Sequence, residues 1–288
     1  MIVLSHDTFE VAVSPQIGGA VTRFTAGGID ILRPAPGGAF GVGDTGCFAL
    51  VPYANRIENG VLQAGGREIR LHRNMGDHPH PLHGHGWQTP WRVEAVSRAA
   101  VTLAFDHAGD DWPWAYSAQQ SFEIDKDGLR IQLAVRNRDA RAMPVSLGFH
   151  PFFPRLPRTR LSALVKGMWQ CNETILPTVH VAGSPLLDLP HGAALDKAPF
   201  VDNCYTDWHG PAHIAQPDDG IDVTLNASPQ CRFLHVYTPL GADFFAAEPV
   251  SAMPNAVNRR EPAEQTGART IEAGESFGIE MHIAVGRP

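Results

Sequence analysis

Apolar and polar residues alternate along two stretches of this chain, and this pattern restricts the possible folds more than any other feature of the sequence. From Leu129 to Val135 every second residue is Leu, Ile or Val, and Gly278 to Gly286 repeats the pattern. Such alternation places apolar side chains on one face of a half-buried β-strand. Shorter runs of the same kind are 9–13, 101–105, 122–124 and 233–237. The sequence therefore predicts many strands.

Turn-forming residues separate these strands. The chain of 288 residues contains 28 glycines and 24 prolines, both above the average usage of about 7% and 5%. Asp127-Gly128 predicts a hairpin between two of the strands. No apolar i, i+3, i+4, i+7 stripe is sustained for three turns, so helices should be few and short. We expect an all-β fold, a large antiparallel β-sandwich.

The proline-rich segments near 33–38, 151–157 and 185–190 lack the charged or serine-rich composition of a linker. We interpret them as loops over a single sandwich, and we predict that residues 1–288 form one domain. The four cysteines are widely scattered and include no Cys-x-x-Cys pair. They are expected to be reduced and mostly buried.

The charge and hydropathy of the chain limit its partners. The formal net charge is −7 and the sequence pI is about 6.0, so a general electrostatic attraction to nucleic acid or to an anionic membrane is not expected. The first residues have no basic region before a long apolar run, and no apolar stretch of about 18 residues follows. We expect a cytoplasmic protein.

Five segments combine polar side chains with the glycine and proline framing of a concave site. In the first, 52–60, the amide of Asn55 and the planar guanidinium of Arg56 could bind sugar-like hydroxyls in fixed directions. The alternative is a surface ion pair between Arg56 and Glu58 beside an Asn59-Gly60 turn.

The second segment, 78–87, is rich in histidine. His78 with His80, and His83 with His85, would share strand faces, so a metal site has to be considered. A cupin-type site normally adds a glutamate three or four residues later, whereas the next acid here is Glu94. The alternative is a polar loop whose imidazoles cap backbone groups. His83 is the better functional candidate because glycine follows it and permits a close backbone approach.

The third and fourth segments each offer one ionisable side chain. His150 lies between phenylalanines and prolines in 148–154, where it could titrate near pH 7 or be a core histidine bonded to a carbonyl. Asp202 lies in 201–208 as a possible hydroxyl acceptor, with Trp208 as a possible sugar platform. An Asx-turn is the alternative for this acid.

The fifth segment, 244–258, contains one acid, Glu248, in an apolar run. A lone carboxylate is costly to bury without partners, which suggests a function. The alternative is a glutamate at a strand end that faces outward before Pro249.

These five segments, in this order, resemble the aldose 1-epimerase family, also called galactose mutarotases, over most of the chain. The resemblance implies the galactose mutarotase-like supersandwich fold and an isomerase that interconverts the α and β anomers of a free aldose. It also implies a role for each matching residue: Glu248 as catalytic base, His150 as catalytic acid, and Asn55, Arg56, His83 and Asp202 as substrate-binding residues. His85 stands where many members have glycine, which leaves a choice between His83 and His85.

The chemistry of anomer exchange needs one base and one acid, and it requires neither a metal nor a nucleotide cofactor. We expect the only ligand to be a small sugar, and the protein to be a monomer or a homodimer. We also expect a carboxylate, Asp202 or Glu248, to raise the pKa of His150 and so widen the pH range of activity.

Three other functions are considered. A hexose-6-phosphate 1-epimerase would need converging basic side chains, for which Arg155, Arg158 and Arg160 are candidates. A non-catalytic carbohydrate-binding protein of the same fold would lack the acid and base pair. A metal-dependent cupin-like enzyme would use the histidines of 78–87.

Overall fold

The computed structural model describes residues 1–38 and 40–286, and strands dominate it. In chain order the strands are β1 (Ile2–His6), β2 (Phe9–Ser14), β3 (Ala20–Ala26), β4 (Ile29–Leu32), β5 (Cys47–Leu50), β6 (Val61–Ala64), β7 (Arg67–Arg70), β8 (Arg92–Val96), β9 (Ala100–His107), β10 (Tyr116–Ile124), β11 (Gly128–Asn137), β12 (Met143–Pro144), β13 (Gly148–Pro154), β14 (Arg160–Ala163), β15 (Gly167–Cys171), β16 (Pro177–Ala182), β17 (Ala193–Ala194), β18 (Val201–Thr206), β19 (Ala212–Gln216), β20 (Ile221–Ala227), β21 (Phe233–Thr238), β22 (Phe244–Val250), β23 (Thr270–Ile271) and β24 (Ser276–Gly286).

Helical structure is limited to short turns within the described ranges. One α-helical turn, α1 (Ala263–Thr266), accompanies four 3₁₀ turns at Val42–Asp44, Glu58–Gly60, Leu189–His191 and Ala256–Asn258. The expectation of few and short helices is confirmed. In the described part of the chain, no helix has both the length and the apolar character needed to cross a membrane.

Two large antiparallel sheets form the body of the fold. The first has eleven strands, in the order β1-β2-β3-β5-β13-β22-β21-β18-β15-β16 with β4 paired to β3. The second has nine, in the order β17-β14-β19-β20-β24-β11-β10-β9-β8. Two small pairs, β6-β7 and β12-β23, complete the arrangement. The all-β antiparallel sandwich predicted from the sequence is confirmed.

The alternating stretches form the middle of the nine-stranded sheet. β11 and β24 pair along most of their length, with Leu133 opposite Ile279 and Ile131 opposite Met281. These four side chains belong to the main core, which also contains side chains from the eleven-stranded sheet. The hairpin predicted at Asp127-Gly128 joins β10 to β11. Alternation therefore identifies the strands that have one buried face.

The central strands of the eleven-stranded sheet are buried on both faces. On β21, Leu234 and Val236 point into the main core, whereas Phe233 belongs to a second apolar cluster on the opposite face. The second cluster is covered by residues from the loops before and after β6-β7, such as Ala54 and Trp87. The candidate site lies on this outer face.

One local expectation was wrong. Segment 151–157 was interpreted as a loop, but Pro151 to Pro154 belong to β13. Proline removes one ladder donor and is unusual inside a sheet. Here the strand keeps its position because its flanking residues still pair, with Phe149 opposite Ala49 on β5 and Phe153 opposite Phe245 on β22.

Candidate active site

A row of side chains crosses the middle of the eleven-stranded sheet. Phe48 on β5 lies opposite His150 on β13, and Glu248 on β22 lies opposite His235 on β21. His235 in turn lies opposite Cys204 on β18. Residues directly opposite in antiparallel strands share a face of the sheet. The register therefore places two imidazoles and one carboxyl group side by side.

His150 and Glu248 form the centre of this row. Nε2 of His150 lies 3.2 Å from Oε1 of Glu248. The Glu248 residue is 1% exposed and His150 is 8% exposed, so the carboxyl group lies deeper than the imidazole. The His150 ring lies between Phe48 and Phe152, at centroid distances of 4.8 and 4.4 Å. This pair has little contact with water.

Burial controls the titration of both groups. It raises the pKa of Glu248 well above the ordinary value, and the nearby charge of Asp202 acts in the same direction. It lowers the pKa of His150 to about 3, assisted by His235 and opposed by Asp202. The expected rise in the pKa of His150 was therefore wrong, because loss of hydration outweighs the neighbouring carboxylate. The two groups together hold one proton over a wide pH range.

A buried ion pair borders His150 and Glu248. Arg56 donates through Nη2 to Oδ2 of Asp202 at 2.9 Å and through Nη1 to Oδ1 at 3.2 Å. Both residues are 8% exposed. Although burial alone would raise the pKa of Asp202, hydrogen bonding by His235 and the Arg56 charge hold it well below its usual range. Asp202 is therefore a permanent anion with a fixed orientation.

Two residues in the left-handed backbone region connect this ion pair to the histidine loop. Asn55 has φ +61° and His83 has φ +59°. The His83 amide donates to the Asn55 carbonyl at 2.9 Å, and the Asn55 amide donates to Nδ1 of His83 at 3.2 Å. Oδ1 of Asn55 accepts from Nη1 of Arg56 at 3.0 Å. Strained backbone of this kind is typical of functional sites.

His83 and His85 point to different surroundings, contrary to the expectation that they share a strand face. The His83 ring meets the His150 ring edge to face at 5.4 Å. The His85 ring stacks on His107 at 4.5 Å, away from the acid and base. The loop is not a regular strand at this point, and His83 has a left-handed backbone conformation, so the two side chains do not share a face. His83 is the histidine that borders the site.

A possible metal cluster lies beside the site. Donor atoms of His85, His107 and Asp110 lie within 4.8 Å of one another. The two imidazole planes are stacked with an angle of only 19°, so their in-plane lone pairs run nearly parallel and do not converge on one point. Nε2 of His107 also lies 2.8 Å from the Trp112 carbonyl. We assign no metal to this cluster.

The six residues predicted from the sequence lie together around one site. Each alternative considered for Arg56, Asp202 and Glu248 was wrong. Arg56 pairs with Asp202, not with Glu58, Asp202 lies inside β18 and not in an Asx-turn, and Glu248 is a buried residue within β22. Their distances support the expected grouping, and their roles belong to the proposal below.

His235 was not predicted as a site residue. Residues 233–237 were predicted as a strand and this histidine was assigned no role, although it is 1% exposed and faces both carboxyl groups. The signal was a lone histidine in an apolar strand, the same signal that singled out His150. Trp208, suggested as a sugar platform, instead lies in the main core.

The arginines suggested as phosphate ligands are engaged elsewhere. Arg155 donates to the carbonyls of Leu195 and Pro239, and Arg158 pairs with Asp218. Arg160 donates to the Gly192 carbonyl. None of these contacts brings a guanidinium group to His150 or Glu248.

A cavity of about 650 Å³ lies beside the candidate site. It is lined by Tyr53, Ala54, Arg56 and Ile57, by the β6-β7 hairpin and by Arg269, and it includes neither His150 nor Glu248. The chemistry of the side chains, not the size of a cavity, identifies the site.

Comparison with known proteins identifies the family of the chain. The profile of the family described as Aldose 1-epimerase matches residues 1–284. The chain is 33% identical over 291 residues to YphB of Escherichia coli K12, a protein without a characterised function, and the alignment covers 98% of this chain and 97% of YphB.

Solved structures show the same fold. A crystal structure from Escherichia coli K12, provisionally described as an aldose 1-epimerase, has a TM-score of 0.90 at 31% identity, covering 99% of this chain and 98% of that one. A galactose mutarotase-like protein from Clostridium acetobutylicum has a TM-score of 0.89 at 20% identity, with coverages of 99% and 95%. The chain belongs to the aldose 1-epimerase family.

Proposed function

We propose that the protein is an aldose 1-epimerase, or mutarotase, which interconverts the α and β anomers of a free aldose by acid and base catalysis. The observation that carries this proposal is the contact of 3.2 Å between Nε2 of His150 and Oε1 of Glu248 at the bottom of a buried polar site. Anomer exchange needs one group that accepts a proton and one that donates a proton, and this pair provides both.

In the proposed mechanism, Glu248 as carboxylate removes the proton from the C1 hydroxyl. The C1–O5 bond breaks, O1 becomes the carbonyl oxygen, and His150 as imidazolium gives its proton to O5. Rotation about C1–C2 presents the other face of the aldehyde to O5. Ring closure then returns both protons. The pair carries one proton before and after the reaction, so the balance is complete.

Burial changes the reactivity of this pair as well as its resting state. The raised pKa of Glu248 makes its carboxylate a stronger base than in water, and the lowered pKa of His150 makes its imidazolium a stronger acid. The charged form of the pair is therefore less populated but more reactive. Positioned proton transfer of this kind typically contributes about 10²- to 10⁴-fold for each group.

The remaining polar groups are suited to hold the sugar. Asp202 can accept from a hydroxyl, and Asn55, Arg56 and His83 surround it with hydrogen-bonding groups. Oε2 of Glu248 is buried and has no hydrogen-bond partner within residues 1–38 and 40–286, so its acceptor capacity is unused. Phe152, 6% exposed beside His150, could cover an apolar face of the sugar.

The test is polarimetry with freshly dissolved aldoses, including galactose, glucose and arabinose, and with hexose 6-phosphates in parallel. We expect rapid mutarotation of at least one free aldose, unchanged by EDTA and reduced by at least about 10²-fold in Glu248→Gln. A wild-type protein that accelerates none of these sugars would overturn the proposal. A rate confined to the phosphates would favour the hexose-6-phosphate alternative.

A further inference from the structure

His235 is a buried ionisable residue that the proposed reaction does not use. It lies on β21 beside Glu248 of β22 and beside Cys204 of β18. His150 lies on the other side of Glu248, on β13. Glu248 therefore lies between two imidazoles, and their hydrogen bonds distinguish them.

The hydrogen bonds of the two histidines differ. Nε2 of His150 contacts Glu248 directly. Nε2 of His235 instead lies 2.7 Å from Oδ1 of Asp202. Because Asp202 is ionised and can only accept, this bond requires the His235 nitrogen to be the donor. His235 therefore serves the sugar-binding carboxylate, not the proton transfer.

Arg56 and His235 together take up most of the acceptor capacity of Asp202. A carboxylate has about four acceptor positions. Oδ1 accepts from His235 and from Nη1 of Arg56, while Oδ2 accepts from Nη2 of Arg56. One position remains, on Oδ2. Asp202 can then accept a hydrogen bond from one further hydroxyl without losing a contact that orients it.

We propose that His235 is a positioning residue that holds Asp202 so that its one free acceptor position binds a single sugar hydroxyl. The inference rests on the proposed function, since it assigns His235 to the recognition of the same sugar. Arg56 supplies the opposite charge and two donors, and His235 supplies a third donor that helps to stop the carboxylate from rotating about its bond to Cβ.

A matched pair of amide variants tests this assignment. The amide nitrogen of glutamine lies as many bonds from the backbone as Nε2 of histidine, whereas that of asparagine is one bond shorter. We expect His235→Gln to keep KM within about threefold of the wild type. His235→Asn should raise KM by about 10- to 100-fold, the range for loss of one hydrogen bond to a charged group. The kcat of both should change little.

Single-deoxy sugars make the test specific to one hydroxyl. In the wild type, one deoxy derivative of the substrate should lose the contact with Asp202 and show a higher KM. In His235→Asn, that derivative and the parent sugar should have nearly equal KM values, because the two changes remove the same interaction. His235→Gln should retain the difference.

Several results would overturn the proposal. Equal KM values for the Gln and Asn variants would show that no directed donor is needed at this position. A fall in kcat of about 10²-fold in both variants would make His235 a catalytic acid. A deoxy-sugar difference that persists unchanged in His235→Asn would exclude the link to Asp202.

Failure of the proposed function can be distinguished from failure of the His235 assignment. If no aldose is anomerised, sugar affinities measured by titration calorimetry replace KM in the same comparison. The contact itself is tested without sugar in ¹⁵N-histidine-labelled protein, where a downfield Nε2-bound proton of His235 should be present and should disappear in Asp202→Asn. Its absence from the wild type would overturn the assignment whatever the activity.

Discussion

At the protein surface, water would stabilise the negative charge of Glu248 and the positive charge of His150. In the folded sheet, phenylalanine rings and the contact between the two side chains take the place of that water. The resting pair is consequently neutral, with its proton on the carboxyl group. At pH 7 an unfolded chain would ionise Glu248, so the folded protein retains a proton that solvent would remove. This difference affects stability as well as catalysis.

The first prediction follows from that retained proton. Glu248→Gln should abolish most of the turnover and stabilise the fold by roughly 1–3 kcal/mol at pH 7, since the amide has no charge to suppress. The gain should shrink toward zero near pH 4, where the carboxyl group is protonated in both states. Urea unfolding at the two pH values measures it. A variant less stable than the wild type at pH 7 would contradict the raised pKa of Glu248.

The second prediction concerns the pH dependence of kcat/KM. The pair is active when it holds one proton, so the wild-type profile should be a bell. The acid limb should lie below the ordinary imidazole range because the pKa of His150 is lowered to about 3. The alkaline limb should lie above the ordinary carboxyl range because that of Glu248 is raised. Both limbs belong to the coupled pair.

In His150→Asn the proton donor is missing, and the ionisation of Glu248 alone determines the pH dependence of kcat/KM. The rate should fall by at least about 10²-fold, the alkaline limb should disappear, and the acid limb should move to higher pH as the isolated carboxyl group must ionise. Rate measurements from pH 4 to 10 with both proteins decide this. An alkaline limb that persists in the variant would remove His150 as the acid.

At the scale of elements, the conformation of the loop that carries His83 requires a glycine at position 84. Gly84 has φ +70°, and a Cβ atom at this position would lie 2.3 Å from the Val51 carbonyl oxygen. Gly183 has a similar φ of +73°, but nothing lies within 4 Å of its Cβ position. The two glycines therefore share the left-handed backbone conformation, but only at Gly84 would a Cβ atom clash with neighbouring backbone.

The third prediction uses this matched pair. Gly183→Ala should destabilise the protein by about 1–2 kcal/mol, the cost of a left-handed conformation with a Cβ atom. Gly84→Ala should cost at least about 2 kcal/mol more and should raise KM, because the backbone that carries His83 has to move. Denaturant midpoints and polarimetry measure both effects. Equal effects of the two substitutions would exclude a clash at Gly84.

The same scale shows which elements could be predicted from the sequence. Apolar and polar residues alternate along β11 and β24 because one face of each strand is buried. This period of two residues identified both strands. β13, β18 and β22 are buried along nearly all their residues, so alternation disappears and only their polar exceptions stand out. Those exceptions, His150, Asp202 and Glu248, were singled out from the sequence and lie close together, while the strands Val201–Thr206 and Phe244–Val250 were not predicted.

At the scale of the whole molecule, the position of the site follows from the packing of the larger sheet. Its inner face contributes side chains to the main core, and its outer face carries the polar row under a cover of loops. Sequence order cannot show that β13, β22, β21 and β18 are neighbours, because Asp202 lies 52 residues after His150 in the chain and Glu248 lies 98 residues after it. Arg56 could be named as a candidate, but its partner was not predictable for the same reason.

The burial of so many ionisable groups on that outer face should also be visible in acid stability. The pKa of Asp202 is depressed, so its contribution is present above about pH 3.9, its unfolded value, and is lost as the pH falls further. His83 and His150 have lowered pKa values. Below about pH 6.5 the unfolded chain binds protons at these two residues and the folded protein does not. All three groups therefore weaken the fold in acid.

The fourth prediction isolates the contribution of His150 to this loss of stability in acid. With a pKa lowered to about 3, this residue alone should reduce the free energy of unfolding by about 2 kcal/mol between pH 6.5 and 4.5. His150→Asn removes the titrating group and leaves the other acids and histidines in place, so its loss over the same interval should be about 2 kcal/mol smaller than that of the wild type. Urea titrations at the two pH values measure the difference. Parallel curves for the two proteins would mean that His150 takes up its proton equally in the folded and unfolded chains, and the neutral resting pair would then be wrong.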